Sequence, residues 1–526
     1  MSYICGGNTL YINMSVSDDR KFTKEQVFCI LQDAKGKTLG EVDKSNQFSR
    51  TGKSSKITGI AGDVVEQSVF GIKRDSRQEC DIEIDGVLTE LKTTGVRVQK
   101  KDLLKAKGLK DDEYNAFLRA KEGISITHVT FEPDIQHDFL TSHLWEKSER
   151  MLIVFYEYKS YNPVPASDYS RFQIVDYCYN TFSETEKAQL RNDWEIVYHY
   201  LADIYSKYET QEERNEKMVG FTHVLRPQLL VIELVPAFKR TSSGSWQKPR
   251  YRLKQSFVDY IVRGHFDKSR QDTEINLSRP FTSFAELDKQ CHDIDDTYKG
   301  MSLTTLKEVL NIDADITTKD FTSICVLRMF KTQGTKLNEV KDFKKVGIIA
   351  KTITLTSEGD RTEDMKLRHI DFEEWADRDI DFEDSMVYGY FCEHSFLLPV
   401  FCEHEEDNRE LTTFEGFKRL SFDDDFIDSE VRKTWNDSLR LIHTNELKWE
   451  FVYDKEGNKR QNKSGSFMGA PNFPKSSEYN IFFRGGANDS REEARTECVN
   501  GINMLPQYLW LKGSFIARML KHTPYI

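Results

Sequence analysis

Residues 81–92 read DIEIDGVLTELK, and this stretch decides what kind of fold the chain builds. Ile82 and Ile84 alternate with Asp81, Glu83 and Asp85, the period-2 pattern of a half-buried strand. Asp85-Gly86 supplies a two-residue turn, because both central positions of such a hairpin take positive φ and these residues tolerate it. With that turn, Ile84 faces Val87, Glu83 faces Leu88, Ile82 faces Thr89 and Asp81 faces Glu90. Directly opposed residues hold their Cβ atoms about 4.5–5.5 Å apart, so two carboxylates meet, which is unfavourable unless a cation lies between them. Lys92, two residues beyond Glu90, points to the same face. Two carboxylates for a hard divalent cation, with an ammonium beside them, suit attack of water on a phosphodiester. The competing reading is the solvent face of an ordinary hairpin, and spacing alone does not separate the two.

The rest of the chain bounds the answer. At 526 residues it has room for two domains. Charged residues make up 30% of it and the mean hydropathy is −0.60, so a soluble, cytoplasmic protein is expected. No apolar run approaches the ~18–20 residues of a membrane span, and the N-terminal MSYICGGNTLYINMSV lacks the pattern of a secretory signal. Nine cysteines without regular spacing fit a reducing compartment rather than a disulfide framework. The net charge of −12 argues against a protein that coats nucleic acid but leaves room for a local basic cleft. Residues 92–110 hold seven Lys/Arg against one acid, Asp102. The stretch 237–255 holds Lys239, Arg240, Lys248, Arg250, Arg252 and Lys254 with no acid, although a solvated face explains either run equally well.

The chain repeats itself in consistent order. KTLGEV (37–42) is echoed by TTLKEV (304–309), and VEQSVF (65–70) by CVLRMF (325–330). LTELKTT (88–94) matches GIIAKTI (347–353) with Lys92 over Lys351, and THVTFE (127–132) matches RHIDFE (368–373). LRNDW (190–194) matches VRKTW (431–435), Trp194 over Trp435, and RLKQSF (252–257) matches WLKGSF (510–515). Two related domains are therefore expected, 1–265 and 299–526, joined by a polar connection over 266–298. ERMLIVFYEY (149–158) and RPQLLVIELVP (226–236) read as buried strands, and VVEQSVFG as a helix stopped by Gly71.

On AKGKTLGEV, GDVVEQSVFG, the Asp…Glu-x-Lys hairpin, TSHLWEK ahead of MLIVFYEY, and RLKQSF, the N-terminal half resembles the MutH family of DNA endonucleases, within the PD-(D/E)xK nuclease superfamily. The whole chain looks like the two-domain restriction endonucleases of that family that cut at GATC. The resemblance implies an α/β fold of two tandem related domains, each a mixed central sheet flanked by helices. It implies Mg²⁺ held by Asp81 and Glu90, completed by Glu66, with Lys92 orienting water and Lys147 near the scissile phosphate. It places base reading at Lys239, Arg240, Thr241, Ser242 and Ser243, with Lys254 and Lys512 as further DNA contacts. Cys80 stands where the family has proline, and the Asp81–Glu90 interval is longer than usual for it, so Glu83 and Asp85 remain alternatives for the first acid.

In the second half, Ile349 stands opposite Glu90 and Val326 opposite Glu66, with Asp342 as a candidate remnant of the first acid. That domain is expected to bind DNA without cutting, and the resemblance implies an allosteric module; Arg484, Asn488, Ser490 and Arg491 of RGGANDSR suit guanine, adenine and phosphate, against the plainer reading of a Gly-rich surface loop. The expected partner is double-stranded DNA, with transient self-association on two-site DNA and no membrane. The rivals are a strand-nicking repair endonuclease and a catalytically inert DNA-binding protein. A separate pattern, FCEHSFLLPVFCEH, offers Cys392, His394, Cys402 and His404 as two C-x-H pairs for zinc, against the plainer reading of two strands with buried thiols. His128, His143 and His369 show no ligand spacing. No G-x-S-x-G, P-loop or G-x-G-x-x-G occurs.

Overall fold

The computed structural model describes residues 20–526 except 53–56, 58, 74–78, 133–137, 268–273, 362, 379, 406–407, 463–464, 466 and 487–490. Two units divide it: residues 1–287 with 339–347, and 288–338 with 348–526. The polar stretch 266–298, expected as a connection, carries a helix at its C-terminal end. Phe284–Tyr298 is a helix, and Phe284, Leu287, Cys291 and Ile294 are buried at helical spacing along it.

The first unit is built on a six-stranded mixed sheet. Ile82–Ile84 and Val87–Val98 pair antiparallel with Ile82 opposite Thr89, Glu83 opposite Leu88 and Ile84 opposite Val87. Asp85 (φ 50°) and Gly86 (φ 81°) make the turn. Val87–Val98 then runs parallel to Met151–Glu157, Glu90 beside Met151 and Lys92 beside Ile153. Met151–Glu157 is nearly all buried because it is central, with Gln173–Asn180 antiparallel on its other side. Helix Lys24–Ala34, capped by Thr23 and Gln26, and the turn of Ile60–Val69 pack their apolar faces onto this sheet. A smaller antiparallel sheet joins Ile124–His128, Arg250–Leu253 and Ile232–Val235.

The second unit repeats the plan with losses. Ile348–Ala350 and Ile353–Thr356 both run parallel to Ser395–Glu403, so one long strand of the first unit is here broken at Lys351 and Thr352. Met365–His369, Gln507–Leu511 and Ile481–Gly485 form the smaller sheet. The repeat read from sequence holds in register. Ile124 pairs with Leu253 and His128 with Arg250 in the first unit, as Met365 pairs with Leu511 and His369 with Tyr508 in the second. Trp194 and Trp435 are both buried. One pairing shifts: Thr38 caps its helix and bridges Gln173, and the residue doing this in the second unit is Ser302, which bridges Thr413. Leu39 therefore corresponds to Leu303, not Leu306.

Among the described residues no helix is long and apolar enough to cross a membrane. Cys80, Cys178, Cys291, Cys325, Cys392, Cys402 and Cys498 are free thiols. Cys29 is disulfide-bonded, a departure from the expected absence of disulfides.

Candidate active site

The hairpin delivers Glu90 to the interior. Its side chain is 2% exposed, and a carboxylate that deep needs partners. Lys92 Nζ donates to Glu90 Oε1 at 2.6 Å. Lys147 Nζ donates to both carboxylate oxygens at 3.1 Å and to the Glu79 carbonyl at 3.2 Å. Lys147 reaches in from the short helix His143–Ser148, which Ser142 caps through the Trp145 N–H just ahead of the central strand. Lys92 also donates to the Ile126 carbonyl at 3.4 Å, which ties the larger sheet to the smaller one.

Asp81 lies just before the first hairpin strand, and its Oδ2 accepts the Leu91 N–H at 3.0 Å. Burial raises its pKa and the charge of Glu90 adds to the shift, while Lys92 and Lys147 oppose it. Glu83 stands near Lys21 instead, at 3.9 Å, and Asp85 is exposed in the turn. Of the three candidate acids, Asp81 is the one beside Glu90.

Glu66 sits on a π-helical turn, Val65–Val69, that continues the helix Ile60–Val64 and ends at Gly71 (φ 72°). Such turns re-aim side chains and recur at functional sites. This one is anchored by buried Ser68, whose hydroxyl donates to Asp43 at 2.9 Å while Asp43 also accepts the N–H groups of Gln47 and Phe48. Burial pushes Glu66 up to about 7, with Asp81 the next cause and Lys92 opposing. For Lys147 burial acts downward, but Glu90 and Asp81 outweigh it and the net shift is upward. Glu66 and Asp81, each raised by burial and by neighbouring carboxylates, gather around Glu90 with the electrostatics of a cation site, and an all-oxygen donor set fits a hard divalent ion.

The expected base-reading segment forms a second ribbon. Lys239–Arg240 pairs with Trp246–Gln247, and Lys239, Arg240, Ser242 and Ser243 are exposed at its tip. Thr241 braces the loop through Ser243, Ser245 and the Ser245 carbonyl at 2.8–2.9 Å. Arg240 lies over the Trp246 ring at 5.7 Å.

Lys254 is not at that surface. It is 4% exposed and donates to the Leu229 carbonyl at 2.6 Å. Beside it, fully buried Asp193 accepts the N–H groups of Leu230, Val231 and Ile232 at 2.9, 2.8 and 3.1 Å. The RLKQSF lysine thus helps clamp a strand entry. Asp193 lies in the LRNDW segment of the repeat, but nothing in that segment marks it as a clamp. In the second unit Thr434 takes its place, donating to the Ile481 carbonyl at 2.8 Å. The matching Lys512 is half-buried at the start of helix Gly513–His522.

Among the described residues, the second unit gathers no acids at the corresponding place. Val326 is buried and Ile349 half-buried. Asp342 belongs to a helix, Lys341–Lys345, and accepts the Leu277 N–H at 2.9 Å, so it is not a remnant of the first acid. Lys351 donates to the Lys366 carbonyl. Burial lowers it to about 8, and Lys366 and Arg361 add to the shift. Arg484 is exposed, pairs with Asp364 at 2.6 Å and lies over Trp510. Arg491 is exposed, and Asn488 and Ser490 lie outside the described residues. RGGANDSR begins at the end of strand Ile481–Gly485 and precedes strand Gln507–Leu511 in sequence, the topological place that the Lys239–Gln247 ribbon holds in the first unit. The two C-x-H pairs do not converge, since Cys392 lies in the helix Met386–Glu393 and His394 Nδ1 faces the Tyr390 carbonyl at 2.9 Å.

The family model described as MutH, DNA mismatch repair enzyme, matches residues 70–193. That span contains Asp81, Glu90, Lys92 and Lys147. Over 532 aligned positions the chain is 23% identical to the type II restriction enzyme Sau3AI of Staphylococcus aureus, covering 95% of this chain and 98% of the relative.

Proposed function

We infer that this chain is a type II restriction endonuclease of the MutH family that hydrolyses both strands of DNA at GATC or a close variant and leaves 5′-phosphate ends. The observation that carries the reading is the cluster of Asp81, Lys92 and Lys147 around buried Glu90, inside the span that matches the family model.

Asp81, Glu90 and Glu66 would hold Mg²⁺. When bound, the ion supplies Lewis acidity to the phosphate and helps ionise water. Lys92 orients the attacking water and, with Lys147, stabilises negative charge developing on the phosphate oxygens. The two ammonium groups are already placed by Glu90, so little reorganisation is required of them. The exposed ribbon of Lys239, Arg240, Ser242 and Ser243 supplies base and phosphate contacts. The second unit, electropositive at Lys351 and without acids there among the described residues, binds DNA and does not cut. With one cutting site per chain, cleavage of both strands proceeds by two visits or by transient pairing of two chains.

A duplex oligonucleotide with one GATC should be cut in Mg²⁺, and the same duplex with one of those bases changed should not. Equal cutting of both would refute the specificity. Two further outcomes follow. Mg²⁺ affinity should strengthen as pH rises through about 7, because Glu66 must lose its proton to act as a ligand. Calorimetric titration across pH should show this slope, and Glu66→Gln should flatten it. Arg240→Ala should weaken cognate binding about 10-fold or more, at ~1–3 kcal/mol for a base-reading arginine, with a smaller loss on unrelated DNA. Gel-shift titration at fixed salt reads both.

A further inference from the structure

We propose that the second unit carries a zinc-type metal site formed by Cys402, His404 and Glu415, on residues that take no part in the cleavage chemistry. Strand Ser395–Glu403 pairs with Thr413–Leu420, Cys402 opposite Thr413. Side chains alternate along a strand, so Cys402 and His404 share a face, and Thr413 and Glu415 share the same one. The pairing shifts between Val400 and Phe401, leaving Glu415 as the extra residue between Phe414 and Gly416. Gly416 sits at φ 114°, which favours glycine. Bulges of this kind re-aim a side chain. The result is that one sulfur, one imidazole nitrogen and one carboxylate oxygen lie within 4.8 Å of one another.

Those separations are close to what a tetrahedral ion requires. Ligand atoms at ~2.3 Å for sulfur and ~2.0 Å for nitrogen or oxygen stand about 3.5 Å apart around one ion. Cys402 Sγ and His404 Nδ1 are 4.0 Å apart. Small side-chain adjustments close the site.

A second observation concerns the imidazole. Thr413 Oγ1 donates its proton to Glu415, so it accepts from His404 Nε2, 2.9 Å away. In the neutral imidazole this fixes the proton on Nε2 and turns the lone pair of Nδ1 toward Cys402. Metal-binding histidines are oriented in this way, by a hydrogen bond from the other ring nitrogen. Thiolate, neutral imidazole and carboxylate suit zinc-like ions rather than Mg²⁺. Binding releases the Cys402 proton to solvent, and two anionic ligands then neutralise a divalent ion. The fourth position is left for water. Lys351 pairs near Leu397, five residues before Cys402, or roughly 16 Å at ~3.3 Å per residue. The site would tie two strands together across the 404–412 connection.

The full-length Glu90→Ala variant, which removes a ligand of the cleavage site, is the material for the test, with Co²⁺ as probe. A thiolate-to-cobalt charge-transfer band should grow to one equivalent per chain, disappear on adding Zn²⁺, and be absent after Cys402→Ser. Zn²⁺ should also raise the melting temperature of the Glu90→Ala protein. The added His404→Ala substitution, at an exposed position that should not impair folding, should abolish that rise. No thiolate band, or a band that survives Cys402→Ser and so belongs to another free thiol, would overturn the site. A Zn²⁺-dependent rise that persists without His404 would do the same.

Discussion

Glu90→Ala is expected to slow DNA cleavage on the order of 10³-fold, roughly 4 kcal/mol at ~1.4 kcal/mol per decade. Glu90 is in contact with both lysines of the site, at 2.6 Å and 3.1 Å, and it shares a charge field with Asp81 and Glu66. Its loss removes a metal ligand and frees Lys92 and Lys147 from their positions. Single-turnover rates at saturating DNA isolate the chemical step, and gel-shift titration should show that binding survives. Because the substitution leaves two half-buried ammonium groups without their carboxylate, circular dichroism should accompany the kinetics. A folded variant that cuts at the normal rate would remove Glu90 from the chemistry.

The second large effect is on stability. Asp193→Ala should destabilise the first unit by on the order of 4 kcal/mol, since three buried N–H groups lose their acceptor at about 1–3 kcal/mol each and some recover water. Asp193 is fully buried, and burial raises it to about 6 despite the three bonds from Leu230, Val231 and Ile232. Part of the loss is therefore offset by no longer burying a charge. In a unit of this size the change corresponds to roughly 10 °C in melting midpoint. Scanning calorimetry should show one transition moving while that of the second unit stays. Thr434→Val is the matching control, because a single hydroxyl-to-carbonyl bond there is worth only about 1 kcal/mol.

What could be read from the sequence was what short periodicities encode. Alternation through Ile82 and Ile84 and the Asp85-Gly86 turn fixed the register of the hairpin, and with it the meeting of Asp81 and Glu90. The repeat was legible where strands recur, because a one-residue slip turns the wrong face inward. It was misread at Leu303–Val309, where Leu303 and Leu306 lie three apart on one helix face and a three-residue slip preserves the apolar stripe. The helix Phe284–Tyr298 was missed although Phe284, Leu287, Cys291 and Ile294 carry its period, because polar residues dominate the stretch by count. Charge pattern could not tell that Lys254 is buried while Lys239 and Arg240 are exposed. A lysine stem packs inside when a carbonyl meets its ammonium. The π turn under Glu66 and the gathering of Cys402, His404 and Glu415 depend on tertiary contacts that no local spacing records.

The most direct measurement is digestion of unmethylated plasmid by the purified protein in Mg²⁺, with both ends of every product sequenced. Discrete linear fragments with 5′-phosphates at GATC or a close variant, absent with Glu90→Ala, are the expected result. Nicked circles alone, or binding without any cleavage, would contradict the assignment of a double-strand endonuclease to the cluster of Asp81, Glu90 and Lys92.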